Sequence, residues 1–80
     1  MLDSKTKEVV ERVYEHAKQF VIEHQKVSVS FIQRRFRIGY TAGVTIVDRL
    51  EEEGIVGPEK SNLHPRDVLV KEYKTAQKYR

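Results

Sequence analysis

Between Ser28 and Pro58 apolar residues recur in two runs at helical spacing, and a glycine follows each run, Gly39 after the first and Gly54 after the second. Val29, Ile32 and Phe36 stand at i, i+3 and i+7, which lines one face of a helix. Ser28 or Ser30 is suited to cap its start, because a serine hydroxyl accepts a hydrogen bond from an otherwise unpaired amide. The helix is expected to stop near Arg37, Ile38 and Gly39, with Gly39 taking the left-handed conformation after the last turn. A second helix then starts at about Tyr40. At 100° per residue, Tyr40, Gly43, Val44, Ile46, Val47 and Leu50 fall on one side, and Thr41, Thr45, Asp48, Arg49 and Glu52 on the other. Gly54 ends it. Two short helices joined by a tight turn are the outline of a helix-turn-helix, whose second helix can enter a DNA major groove.

The rest of the chain is placed by what would pack around this pair. From Asp3 or Ser4 to about Glu23, Val9, Val13, Ala17, Phe20 and Val21 repeat at three- and four-residue steps, with Glu8, Glu11, Lys18 and Glu23 opposite. This predicts a first helix whose apolar stripe covers the other two. Val27 and its neighbours are placed to add a short strand before the second helix. Ile55, Val56, Gly57 and Pro58 read as a short strand broken by a turn, residues 59–65 are rich in turn formers, and Arg66 to Val70 has the β-branched composition of a strand. Strand, polar loop and strand predict a hairpin. The expected fold is therefore mainly α with a small β-hairpin (α+β): a winged helix-turn-helix with a three-helix core and a C-terminal wing over residues 1–70. Residues 71–80 are expected to form a basic tail or a short helix.

Eighty residues suffice for one small domain and one core. With no cysteine there is no disulfide framework and no thiolate metal site, so apolar packing must hold the fold. No run approaches the roughly 18 apolar residues of a membrane span, and the first residues are too charged for a signal peptide. A soluble, cytoplasmic domain without membrane contact is expected.

The net charge of +3 is unevenly placed. Residues 1–26 carry five Lys/Arg against five Asp/Glu, residues 51–80 carry six against six, and residues 27–50 carry four arginines against Asp48 alone. The whole excess sits in the helix pair, where a phosphate backbone would need it. Arg34, Arg35 and Arg37, just before the second helix of the pair, are candidate phosphate contacts, since positioning contacts need only charge and reach. Arg49 joins them, or pairs within its own helix. Lys60, His64 and Arg66 in the wing complete the set. Surface pairing with Glu51, Glu52 and Glu53 is the competing use of the arginines. His16 and His24 are eight residues apart, too far for the shared ligation that i, i+4 spacing permits, so no metal site is expected. No nucleophile–base set, glycine-rich phosphate loop or carboxylate cluster points to catalysis or to a cofactor, and the chain is not expected to be an enzyme.

The segment QRRFRIGY from Gln33, DRLEEEGIVGP from Asp48, RDVLV from Arg66 and YEHAKQFV from Tyr14 closely resemble the gamma domain of FtsK/SpoIIIE-type DNA translocases. The resemblance covers roughly Val13 to Val70. It implies a winged helix that binds short polar sequences in double-stranded DNA and so orients a hexameric motor during chromosome segregation, and that contacts a Xer-type recombinase. After IGY the family usually presents Asn then Arg, a second Arg four residues after the Asn, and Glu three further on, the side chains associated with reading bases. Here those positions hold Thr41, Ala42, Thr45 and Asp48. They are the candidate base contacts, and only Asp48 keeps its counterpart's chemistry; neither threonine can make an arginine's bidentate contact with guanine. The resemblance with this departure implies DNA binding with altered or weakened sequence recognition. The alternative is a protein-interaction domain whose exposed stripe docks a recombinase or another partner.

Overall fold

The computed structural model describes residues 3–59 and 66–73. Three helices follow in order: α1 (Ser4–His24), α2 (Val29–Phe36) and α3 (Tyr40–Glu52). α1 starts at Asp3, whose carboxylate accepts from the Thr6 N–H at 2.8 Å. That backbone hydrogen bond holds the Asp3 carboxyl below the usual carboxylate range. α2 starts at Ser28, whose hydroxyl accepts from the Phe31 N–H at 3.1 Å, so Ser28 and not Ser30 is the cap.

Both α1 and α2 end on a left-handed residue that is not glycine, Gln25 at φ 55° and Arg37 at φ 54°. Gln25 is held there by its own side chain, whose amide donates to the Ile22 carbonyl at 2.7 Å and the Val70 carbonyl at 2.9 Å. At the end of α2 the left-handed turn falls on Arg37, not on Gly39 as the sequence suggested. Gly39 is extended, at φ −74°, and instead begins α3. Gly54 does take a positive φ, 78°, after α3.

The core is one cluster. Val10, Tyr14, Ala17, Val21 and Ile22 come from α1, Ile32 from α2, and Ala42, Ile46, Val47 and Leu50 from α3, with Val27, Val56 and Val68 closing it. Each fully buried Ile or Leu contributes about 1.5–3 kcal/mol of transfer free energy. The α1 face is turned from the expected stripe: Val9, Val13 and Phe20 are only half-buried, while Val10, Tyr14 and Ile22 lie deeper. α2 and α3 are in close contact at Gly43, where a Cβ would meet Gln33 Cγ and Val29 Cγ1 at 3.2 Å. A side chain there would require Gln33 and Val29 to give by a few tenths of an ångström.

The expected C-terminal wing is corrected by the structure. Among the described residues there is no strand, only an isolated antiparallel bridge between Val56 and Val68. Gly57 N–H donates to Asp67 O at 2.9 Å and Leu69 N–H to Ile55 O at 2.7 Å, and among the described residues the pairing extends no further. In this register the Ile55 N–H would donate to Leu69 O, but it is given instead to Leu50 O at the end of α3, at 2.9 Å. Val27 is buried but not in a strand. The fold is a three-helix core rather than an α+β domain with a hairpin. The expected loop over residues 60–65 and the tail over residues 74–80 lie outside the described residues.

Candidate nucleic-acid interface

α3 divides cleanly between a packed face and an open one. Ala42, Gly43, Ile46, Val47 and Leu50 are buried, and Thr41, Asp48, Glu51 and Glu52 are exposed. Thr41, Thr45 and Asp48 follow one another at four- and three-residue steps and so share a face. Of the four residues expected at base edges, Thr41 and Asp48 are exposed, Thr45 is half-buried, and Ala42 packs in the core. Thr45 is also engaged locally: its hydroxyl donates to the Thr41 carbonyl one turn back, at 2.8 Å. Tyr40 lies at the edge of the apolar arc by angle, yet it is 67% exposed at the first turn of α3. Its place beside the capping glycine, two positions before the core begins at Ala42, is the sequence signal for that exposure.

The amino end of α3 has no side-chain cap, because its N-cap is Gly39. The first-turn amides of a helix point outward and carry partial positive charge, so an acceptor from elsewhere suits them. Arg34 and Arg37, at the end of α2 and in the turn, are exposed and precede this end in the chain.

The remaining expected phosphate contacts are placed differently. The Arg35 guanidinium lies 5.2 Å from the ring centroids of both Phe20 and Phe36, a cation–π arrangement that fixes it to the α1–α2 surface. Arg49 turns towards α1, with its guanidinium 4.2 Å from the Tyr14 ring, 3.0 Å from Glu11 and 3.8 Å from Glu53. Arg66 pairs with Glu51 at 2.8 Å. Lys60 and His64 lie outside the described residues.

Around Arg49 the charges form a seam between α1 and α3. Lys18 reaches Glu53 at 3.1 Å and Glu15 at 3.5 Å. Burial alone would lower the Lys18 ammonium, but the hydrogen bond it donates to Glu53 and the charges of Glu15 and Glu53 outweigh it, and the net shift is upward. Burial, helped by Glu53, pushes the Tyr14 phenol well above its ordinary range. The Tyr14 hydroxyl has no partner at hydrogen-bonding geometry, so Glu53 acts on it by proximity. Tyr73 donates to Glu15 at 2.9 Å, which fastens the end of the described chain to α1 and away from the open face of α3.

A three-helix core whose last two helices meet at a tight turn defines a helix-turn-helix domain. Residues 8–71 match the family described as the Ftsk gamma domain. The sequence is 49% identical over 74 residues to the DNA translocase FtsK of Oceanobacillus iheyensis, covering 88% of this chain and 9% of that protein. It is 46% identical over 70 residues to FtsK of Bacillus cereus, with the same coverage of both chains. To the DNA translocase SpoIIIE of Bacillus subtilis it is 43% identical over 67 residues, covering 84% of this chain and 8% of the relative. The chain belongs to the FtsK gamma-domain family. It spans less than a tenth of the length of these relatives. No helix among the described residues is long and apolar enough to cross a membrane.

Proposed function

We propose that this domain binds double-stranded DNA, with α3 in the major groove, Thr41, Thr45 and Asp48 towards base edges, and Arg34 and Arg37 against phosphates. The observation that carries the reading is the stripe Thr41–Thr45–Asp48, with Thr41 and Asp48 exposed and Thr45 half-buried, on a helix whose uncapped start follows the exposed Arg34 and Arg37 in the chain. Recognition helices contact bases through their amino-terminal residues, and a phosphate oxygen would supply the acceptor that Gly39 lacks. Glu51 and Glu52 sit at the far end of α3, away from that contact. The relatives are named as DNA translocases. In this reading the domain is the binding part of such a machine and does no chemistry itself. Its recognition is altered, because no arginine stands on the stripe.

The test is the salt dependence of duplex binding. Affinity should fall log-linearly with salt, and replacing Arg34 and Arg37 together by Met should flatten the slope by about two units, near 0.9 per lost phosphate contact. No duplex binding at low salt would overturn the proposal.

A second reading is favoured by one feature. Phe20, His24, Phe31 and Phe36 form a half-exposed aromatic cluster, with ring centroids of Phe20 4.2 Å from His24 and 5.0 Å from Phe31, and Arg35 stacked on it. Aromatic and arginine side chains are enriched at protein interfaces. Docking of a Xer-type recombinase or another protein there is compatible with DNA binding by α3, since the two faces are separate.

A further inference from the structure

We infer that residues 66–73 form a strap that opens as a unit from a three-helix core that stays folded, with Gln25 as its catch. The core is nearly complete without this segment. Of the buried core residues only Val68 comes from the strap, and at 9% it is the most exposed of them. Leu69 beside it is turned outward at 56% exposure, and Val70 and Tyr73 are only partly buried.

The strap has no helix or ladder of its own to hold it. Its backbone pairs through the isolated bridge at Val56, with Leu69 N–H on Ile55 O and Gly57 N–H on Asp67 O. Its side-chain ties lie at the surface: Arg66 to Glu51 at 2.8 Å, the Gln25 amide to Val70 O at 2.9 Å and the Tyr73 hydroxyl to Glu15 at 2.9 Å. Water replaces an exposed bond at small net loss, and a segment with few buried apolar contacts and exposed hydrogen bonds opens at lower free energy than the core beneath it. The helices close their own ends, Gln25 N–H on Val21 O after α1 and Glu53 N–H on Arg49 O after α3, so release of the strap leaves them capped.

Gln25 is the residue that joins the two parts. A left-handed residue after a helix is ordinarily glycine or asparagine, yet Gln25 stands at φ 55°. Its side-chain amide donates to Ile22 O at 2.7 Å and to Val70 O at 2.9 Å, so one residue closes the last turn of α1 and holds the strap against it. Opening parts Val70 from Gln25 and Arg66 from Glu51 and takes away the bridge partner of Val56. None of these ties involves Thr41, Thr45 or Asp48.

Native-state hydrogen exchange, followed amide by amide by NMR through a series of sub-denaturing urea concentrations, tests this. The Leu69 and Gly57 amides, whose bonds join the strap to the core, should exchange through an opening of lower free energy and weaker urea dependence than those of the buried Ala17 in α1 and Ile46 in α3. Gln25→Gly keeps the backbone cap but loses the catch. It should speed Leu69 and Gly57 exchange by about fivefold, the order of one hydrogen bond. Ala17 and Ile46 should be nearly unchanged, because relief of the positive φ offsets the lost bond to Ile22 O. Tyr73→Phe removes only the hydroxyl bond to Glu15 and should speed the same two strap amides without moving the core. Leu69 and Gly57 amides that share the free energy and urea dependence of Ala17 and Ile46 overturn the inference. So do strap amides that neither substitution moves, or a Gln25→Gly chain in which strap and core amides accelerate equally.

Discussion

Arginine is used in opposite ways in two regions of this domain. In the seam between α1 and α3, Arg49 is held by Glu11, Glu53 and the Tyr14 ring, and Lys18 by Glu53 and Glu15. At the end of α2 and the start of α3, Arg34 and Arg37 are exposed, and Gly39 leaves the helix end uncapped. The first arrangement joins elements distant in sequence and contributes to the fold. The second contributes little to the fold and is available to an anion. Charge counted along the chain cannot separate them, because Arg34, Arg37 and Arg49 sit in one window of 24 residues.

The strongest way to break this contrast is to weaken the floor beneath the seam. Leu50 is fully buried between α1 and the rest of the core. Leu50→Ala should cost about 2–5 kcal/mol through lost transfer energy and a cavity. The check is urea denaturation with the m-value unchanged, and duplex binding should fall only as the folded fraction falls. A loss of binding at full foldedness would mean that α3 packing and groove contact are not separable as argued.

Arg49→Met sharpens the comparison within the seam. It removes two partly exposed ion pairs and a cation–π contact, together worth about 1 kcal/mol after solvent screening. Stability should drop by that amount, while the salt slope of duplex binding stays as in the wild type. A flattened slope would move Arg49 into the open region.

Arg37 joins the two properties in one residue. It is a non-glycine at φ 54°, a conformation that costs an L-residue roughly 1–2 kcal/mol. Such strain is retained where the surrounding structure or the function requires it. Arg37→Gly should relieve it and, after the larger backbone entropy that glycine loses on folding, raise stability by about 0.5–1 kcal/mol. The same change should flatten the salt slope by about one unit. Stability up and phosphate contact down, from one substitution, is the outcome that a purely structural arginine would not give.

Much of the core was legible because its signals are local. Ser28 at the start of α2, Tyr40 as the first residue of α3 and the left-handed Gly54 all follow from residue chemistry within one turn. Gly39 was legible as a breakpoint but not as the cap of the following helix, since either use fits a glycine between two helices. The α1 face was misjudged by roughly one residue: Tyr14, with a hydroxyl that prefers water, lies deep in the core, and Val9 and Val13 lie at its edge. Val56 and Val68 have strand composition and do pair, but the Ile55 amide that would carry the ladder on is drawn to Leu50 O at the end of α3, a competition that composition does not show. Of the candidate phosphate contacts, Arg49's pairing with Glu53 follows from i, i+4 spacing within α3, whereas its second partner, Glu11, is 38 residues away and Arg66's partner, Glu51, is 15 residues away, separations that no short-range pattern encodes.

The smallest effect compares the two helix starts. α1 carries its own cap, Asp3, whereas α3 begins on Gly39 with none. Asp3 is lowered in the folded chain by its bond from Thr6, so its carboxylate is a better acceptor there than in the unfolded chain. A depressed folded-state pKa gives stability that is fully present above the unfolded value, about 3.9, and is lost as pH falls through the folded value. The stability difference between wild type and Asp3→Ala should therefore be constant at neutral pH and shrink below about pH 4. Asp3→Asn keeps a good cap without the titration, so its curve should run nearly parallel to the wild type at neutral pH and lie above it, relative to their neutral-pH difference, in acid. Thermal melts across that range measure it. Duplex binding at neutral pH should be the same for all three, because only the uncapped start of α3 meets a phosphate in the proposed complex.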